Sequence, residues 1–254
     1  MKKVGLALGG GSARGLAHIG LLQVLEQEEI PIDLVVGTSI GSLVGAIYAA
    51  GTNLDYLAEI ARQLNWKQIL DPSFSRMGLC RGDKLQQLVR VLAGRKSFRQ
   101  LRLPFAAIAC DLKSGREVIL REGEVARAVR ASCSLPGVFK PVPWDEQLLV
   151  DGGVCGRLPV AAARKLGAQF VLAVDVGGWP KHDTMSNVFD ILSQTFHIFE
   201  SRLAVEQGSE ADFLITPEVG HIGPERLDLA DQLIAAGKEA AQAALPELQK
   251  LLGR

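Results

Sequence analysis

Four cysteines in 254 residues, none paired as C-x-x-C, are too few and too scattered for a disulfide framework or a thiolate metal site. Cys80, Cys110, Cys133 and Cys155 read instead as small core residues in a reducing compartment. An excess of charge is missing too. Lys+Arg and Asp+Glu balance at 28 each, so no global field recruits nucleic acid, and no basic segment favours electrostatic docking on a membrane. Neither an acidic loop nor a histidine cluster at ligand spacing is present, which leaves no metal site and no cofactor to expect. A membrane-spanning run is also lacking. Leu34 to Leu54 carries no charge, yet Gly37, Gly41, Gly45 and Gly51, with Thr38, Ser39, Ser42, Thr52 and Asn53, interrupt it. Met1-Lys2-Lys3 before Val4–Leu8 imitates a signal peptide, but the apolar run is too short and ends in Gly9-Gly10-Gly11. A soluble, cytoplasmic protein is expected. No repeat, linker or low-complexity stretch divides the chain, so a single α/β domain over residues 1–254 is the simplest account.

What is present is a run of short apolar strands alternating with helices. Val4–Leu8 reads as a first strand, residues 16–29 as a helix ended by Pro31, and residues 33–37 as a second strand. That spacing predicts a βαβ unit with parallel neighbours and a right-handed crossover. Residues 52–104 read as a helical insertion, with helices near 54–64 and 83–93, placed to shape substrate access. Phe105–Cys110 predicts a buried strand paired with Glu117–Leu120, followed by a helix near 123–131 and a short strand at Leu148–Val150. Beyond it, Pro159–Leu166 suits a helix, Phe170–Val176 a buried strand and Phe213–Thr216 a late one. Met185–Val205 carries apolar residues at helical spacing. Plain core or an oligomer contact is the first reading of that helix, and the wall of an acyl site the second. Residues 226–244 predict an Ala-rich helix, with Pro246 starting a last turn.

Three motifs fall at the ends of predicted strands. Gly37-Thr38-Ser39-Ile40-Gly41 sits between a strand and a small-residue helix, the context a G-x-S-x-G nucleophile elbow requires. Side chains at 37 and 41 would collide with the neighbouring strand and helix, while Ser39 would stand at a helix N-terminus that favours developing negative charge. Gly10, Gly11 and Ser12, just after the first strand, offer bare amides that could converge on an oxyanion, with Arg14 anchoring the loop. A phosphate cradle is the rival for this loop. The Gly-Lys-Ser/Thr of a P-loop is absent, and the second strand closes on Gly37-Thr38 rather than on an acid. Asp151 ends a strand before Gly152 and Gly153, which leave its carboxylate uncrowded. Taken alone, Asp-Gly-Gly is an ordinary turn. The rival base is a late histidine, His182 or His221 in Gly/Pro-flanked loops or His197 in the middle of an apolar helix, while His18, one turn beyond the glycine loop, points along a helix; none has a distinctive neighbour, as Asp151 has.

Gly10-Gly11-Ser12-Ala13-Arg14-Gly15, Gly37-Thr38-Ser39-Ile40-Gly41 and Asp151-Gly152-Gly153 resemble, in order and spacing, the motifs of patatin-like phospholipases. Leu16-Ala17-His18-Ile19-Gly20 and Arg130 to Phe139 are similar to the bacterial branch close to the neuropathy target esterase catalytic domain. The resemblance covers residues 4–175, with a helical part at 185–254. It implies a three-layer α/β/α fold with a mainly parallel sheet and a Ser-Asp dyad without histidine. Ser39 is then the nucleophile, Asp151 the general base, and Gly10, Gly11 and Ser12 the oxyanion hole. Arg14, Gly15, Gly37, Gly41, Gly152 and Gly153 support the motifs. Ser12 stands where the family pattern has glycine, and Gly153 where alanine is commoner. The implied substrate is a phospholipid, a lysophospholipid or another long-chain acyl ester, met through transient contact with a membrane surface. A non-catalytic adaptor that keeps the fold is the alternative. Oligomeric state is left open.

Overall fold

Strand β1 (Val4–Leu8) sends Val4, Leu6 and Leu8 to one face of a sheet and Ala7 to the other. That period of two builds a core on each face. The computed structural model describes residues 2–178 and 186–254. After β1 come α1 (Ala17–Gln27), β2 (Leu34–Thr38), α2 (Ile40–Ala49), α3 (Leu54–Gln63), α4 (Trp66–Ile69) and α5 (Asp83–Leu92). Next are β3 (Phe105–Asp111), β4 (Glu117–Leu120), α6 (Val125–Ser132), β5 (Val142–Trp144), β6 (Gln147–Asp151), α7 (Val160–Lys165) and β7 (Phe170–Val174). The order closes with α8 (Val188–Ser209), β8 (Phe213–Ile215) and α9 (Ala230–Leu252).

The strands form one sheet in the order β5-β6-β3-β2-β1-β7-β8, with β4 also paired to β3. Strands β3, β2, β1, β7 and β8 run parallel, whereas β4, β5 and β6 are antiparallel to their neighbours. This is the expected α/β/α arrangement with a mostly parallel sheet. On one face, small strand residues (Ala7, Ala106, Ala173) let α7 pack closely. The other face carries the larger core, built with α1, α2, α3, α5, α6 and α9. Helices α1 and α9 approach without side chains at two positions: a Cβ on Gly20 would overlap the Ile234 carbonyl, and one on Gly237 the Ala17 carbonyl.

Three expectations need correcting. Pro246 does not start a separate turn, because α9 runs through it to Leu252. Proline removes one intrahelical hydrogen bond, but Leu248 beyond it is fully buried and Leu252 packs on the same core. The helix expected over Met185–Val205 begins at Val188 and runs to Ser209; Met185 and His182 lie outside the described residues. Nor is α8 plain core. Val188, Ile191, Leu192 and Phe199 are exposed, while Glu200, Ser201 and Ala204 are among its buried residues. No helix among the described residues is long and apolar enough to cross a membrane.

Candidate active site

A sharp turn joins β2 to α2. Ser39 occupies it at φ 52° and ψ −124°, a region that costs a non-glycine residue about 1–3 kcal/mol. The neighbouring glycines allow this: a Cβ on Gly37 would overlap the Gly41 carbonyl, and one on Gly41 the carbonyl of Leu8 in β1. Hydrogen bonds on both sides hold the strained residue. Its N–H donates to the buried Ser132 Oγ at 3.0 Å, and its carbonyl accepts from Ser42 Oγ at 2.7 Å. Backbone strain is thus held in place by the ends of α6 and α2.

Strand β6 brings the carboxylate. It enters from beyond the end of β3 and runs antiparallel to it, with Asp151 opposite Ala109. The parallel β2–β3 register sets Thr38 opposite Ile108, so the two strand ends meet at one level. Asp151 is 2% exposed, its N–H donates to the Ser134 carbonyl at 3.0 Å, and its Oδ1 accepts from the Gly153 N–H at 2.8 Å. Ser39 lies close enough to this carboxylate to favour its ionised form, and the two residues line one cavity. Burial, and then the Glu200 carboxylate, push the Asp151 proton affinity up to about 7, against the opposing influence of Ser39 and of the Gly153 hydrogen bond. A carboxyl group with that affinity accepts a proton better than an ordinary aspartate and is half ionised near neutrality.

The glycine loop lies beside Ser39: a Cβ on Gly10 would stand 3.5 Å from that of Ser39. Its three amides differ in what they do. The Gly10 N–H donates to the Arg157 carbonyl at 3.1 Å, whereas those of Gly11 and Ser12 have no acceptor among the described residues. Ser12, in the usual place of a glycine, takes a left-handed φ of 52°. Arg14 is buried and straps the loop down, donating to the carbonyls of Ile222 at 2.6 Å, Gly220 at 3.3 Å and Gly177. Burial lowers its proton affinity. His18 holds the same loop from behind, with Nε2 2.9 Å from the Gly9 carbonyl. Its burial lowers the ring to about 4, so it is neutral, and Nδ1 has no partner among the described residues.

Ser39, Asp151 and Ser12 share the polar end of a cavity of about 270 Å³. The rest of its wall is apolar. Leu57, Ile60 and Ala61 of α3, Trp66 and Ile69 of α4, and Leu85 and Leu88 of α5 line one part, so the 52–104 insertion forms much of the chamber. Phe196, His197 and Glu200 of α8 close another side. Among the described residues no lysine or arginine lines it. His221 is exposed and outside the cavity.

The sequence model of the family described as patatin-like phospholipase matches residues 6–164. The chain belongs to this family. An NTE family protein of Mycobacterium tuberculosis is 40% identical over 192 residues, 73% of this chain and 53% of that protein. Patatin-like phospholipase domain-containing protein 6 of Homo sapiens is 36% identical over 200 residues, 75% of this chain and 14% of the human protein. The chain thus spans about half the length of the mycobacterial relative and a small part of the human one. Among solved structures, VipD from Legionella pneumophila has a TM-score of 0.69 at 12% identity, covering 97% of this chain and 67% of VipD, a likeness of fold alone.

Within the patatin-like frame, the structure gives residues roles that motif reading did not assign. Ser132 supports the Ser39 amide, and a serine at a helix end carries no signal of its own. Arg157 occupies the Gly10 amide through its carbonyl, which no side-chain pattern could reveal. Glu200 lies 47 to 49 residues beyond the nearest motif, on a helix with no strong polar face.

Proposed function

We propose that the chain is a serine lipid acyl hydrolase in which Ser39 attacks and Asp151 moves the proton. One observation carries this reading: a serine held in strained backbone, against a buried carboxylate with raised proton affinity, at the end of an apolar chamber. Asp151 takes the Ser39 proton as Oγ bonds to the ester carbonyl carbon. The carbonyl oxygen becomes an oxyanion beside the free amides of Gly11 and Ser12, with the Gly10 amide spent on holding the loop. Collapse breaks the ester C–O bond, and Asp151 returns its proton to the departing alcohol. Water, deprotonated by the same carboxylate, then attacks the acyl-enzyme; the fatty acid leaves and Ser39 recovers its proton.

A cavity walled by leucine, isoleucine and tryptophan favours a long acyl chain, from a phospholipid, a lysophospholipid or another lipid ester. The exposed apolar stripe of α8 (Val188, Ile191, Leu192, Phe199) suits brief contact with a lipid surface. The unpaired thiols fit a cytoplasmic setting, and residues 1–254 are read as one catalytic unit. Kinetics on a chromogenic acyl ester test the proposal. S39A and D151N should each lose at least about 1000-fold in kcat, as single removals from a catalytic unit do, while H182A and H221A stay near wild type. Full activity in S39A would overturn it and leave a binding protein on the same fold.

A further inference from the structure

Asp151 does not face Ser39 alone. Glu200, 9% exposed on α8, reaches the turn that follows Asp151, and the position a Cβ would take on Gly153 overlaps its Oε1. That same Cβ position is 3.2 Å from Asp151 Oδ1, so the absent side chain is the space through which the second carboxyl group approaches the first. His197, one turn earlier, holds Glu200 with Nδ1 3.3 Å from Oε2. Both side chains line the main cavity together with Ser39 and Asp151.

The two guanidinium groups nearby make their hydrogen bonds elsewhere. A small cavity of about 10 Å³ is lined by Glu200, His197, Arg14 and Arg157. Arg157, from the segment after β6, donates to Asp175 Oδ2 at 3.0 Å and Ser201 Oγ at 3.2 Å. Arg14, from the glycine loop, is spent on three backbone carbonyls. Cys133, at the end of α6, faces Asp151 as a thiol, its proton affinity raised to about 12 by burial and then by that carboxylate. Among the described residues neither guanidinium makes a salt bridge to Glu200. With His197 as its one recorded partner and no guanidinium paired to it, the Glu200 carboxylate acts on its neighbour, because like charges sharing a buried site disfavour double ionisation.

We propose that Glu200 is a positioning residue of the reaction, acting through Asp151: seated in the gap left by Gly153 and steered by His197, its carboxylate strengthens Asp151 as the proton acceptor for Ser39. The inference rests on the dyad reading above. It makes α8, which lies beyond the segment matched by the family model, part of the machinery. It also gives Gly153 a purpose, since alanine there would push the Glu200 carboxylate aside.

The pH dependence of kcat/KM on a soluble short-chain acyl ester separates this from a structural role. Removing the Glu200 charge favours ionised Asp151, so E200Q should carry the acidic limb about 1–3 pH units lower. E200D, which keeps the charge, should hold the limb near wild type. G153A approaches the same point from the other side and should shift the limb in the same direction; it decides the matter if E200Q does not fold. An unmoved limb in folded E200Q, or in G153A where E200Q does not fold, would refute the proposal. So would a folded E200Q that is inactive at every pH, since Glu200 would then act in the chemistry directly. Activity retained in S39A would sink the dyad reading instead, and the two failures are told apart by that control.

Discussion

Replacing Asp151 by asparagine should abolish turnover and yet stabilise the fold in alkali. In the folded chain the carboxyl group keeps its proton up to about 7, against an ordinary value of 3.8. Between those values the folded state binds more protons than the unfolded one. The favourable contribution is therefore complete below 3.8 and is lost as pH rises through 7. At 1.36 kcal/mol per unit, the whole window is worth about 4 kcal/mol, and the part above pH 5 about 2–3 kcal/mol. Asparagine keeps the shape and an acceptor for the Gly153 N–H but has no charge to bury. Urea unfolding of D151N and wild type at pH 5, 6, 7 and 8 isolates the effect, because the other titrating groups are common to both. The stability difference should move in favour of D151N by about 2–3 kcal/mol from pH 5 to pH 7, then level off. A difference that stays flat across the series would refute the argument that burial of this carboxyl group sets its affinity.

Other perturbations follow from the same geometry. G41A forces a methyl group into the Leu8 carbonyl, so urea denaturation should show a loss of about 1–3 kcal/mol or more; an unchanged midpoint would mean the elbow has slack. S132A leaves the Ser39 amide without its acceptor, at a cost of about 1–3 kcal/mol and with a fall in kcat, both absent if that bond is incidental. S12G should stabilise by about 1 kcal/mol, since Ser12 pays for a left-handed backbone that glycine adopts freely. L88W narrows the chamber, and a panel of acyl esters should shift its optimum toward shorter chains; an unshifted optimum would place the acyl group elsewhere.

Strand β1, the elbow and the Asp-Gly-Gly turn are legible in the sequence because each is local: apolar runs stop at residues whose backbone demands leave little choice. Their meeting is less so. Strand β6 runs antiparallel to β3, and it is the register of Asp151 on Ala109 that brings its end level with β2. No pattern within Leu148–Val150 carries that information. Strand β5 escaped notice because two half-buried residues flanking an exposed Pro143 do not read as a strand. Pro246 misled in the opposite sense: a local breaker was overridden by the burial of Leu248. Glu200 was out of reach, since its meaning lies in the empty volume above Gly153 and not in its neighbours along the chain.

An activated serine can be read without knowing the substrate. Incubation with a fluorophosphonate, followed by intact-mass and peptide analysis, should give a single adduct mapped to Ser39. The labelling rate should rise with pH through about 7 as Asp151 ionises, and the adduct should vanish in S39A and nearly so in D151N. An adduct on another residue, or labelling of D151N at the wild-type rate, would contradict the account.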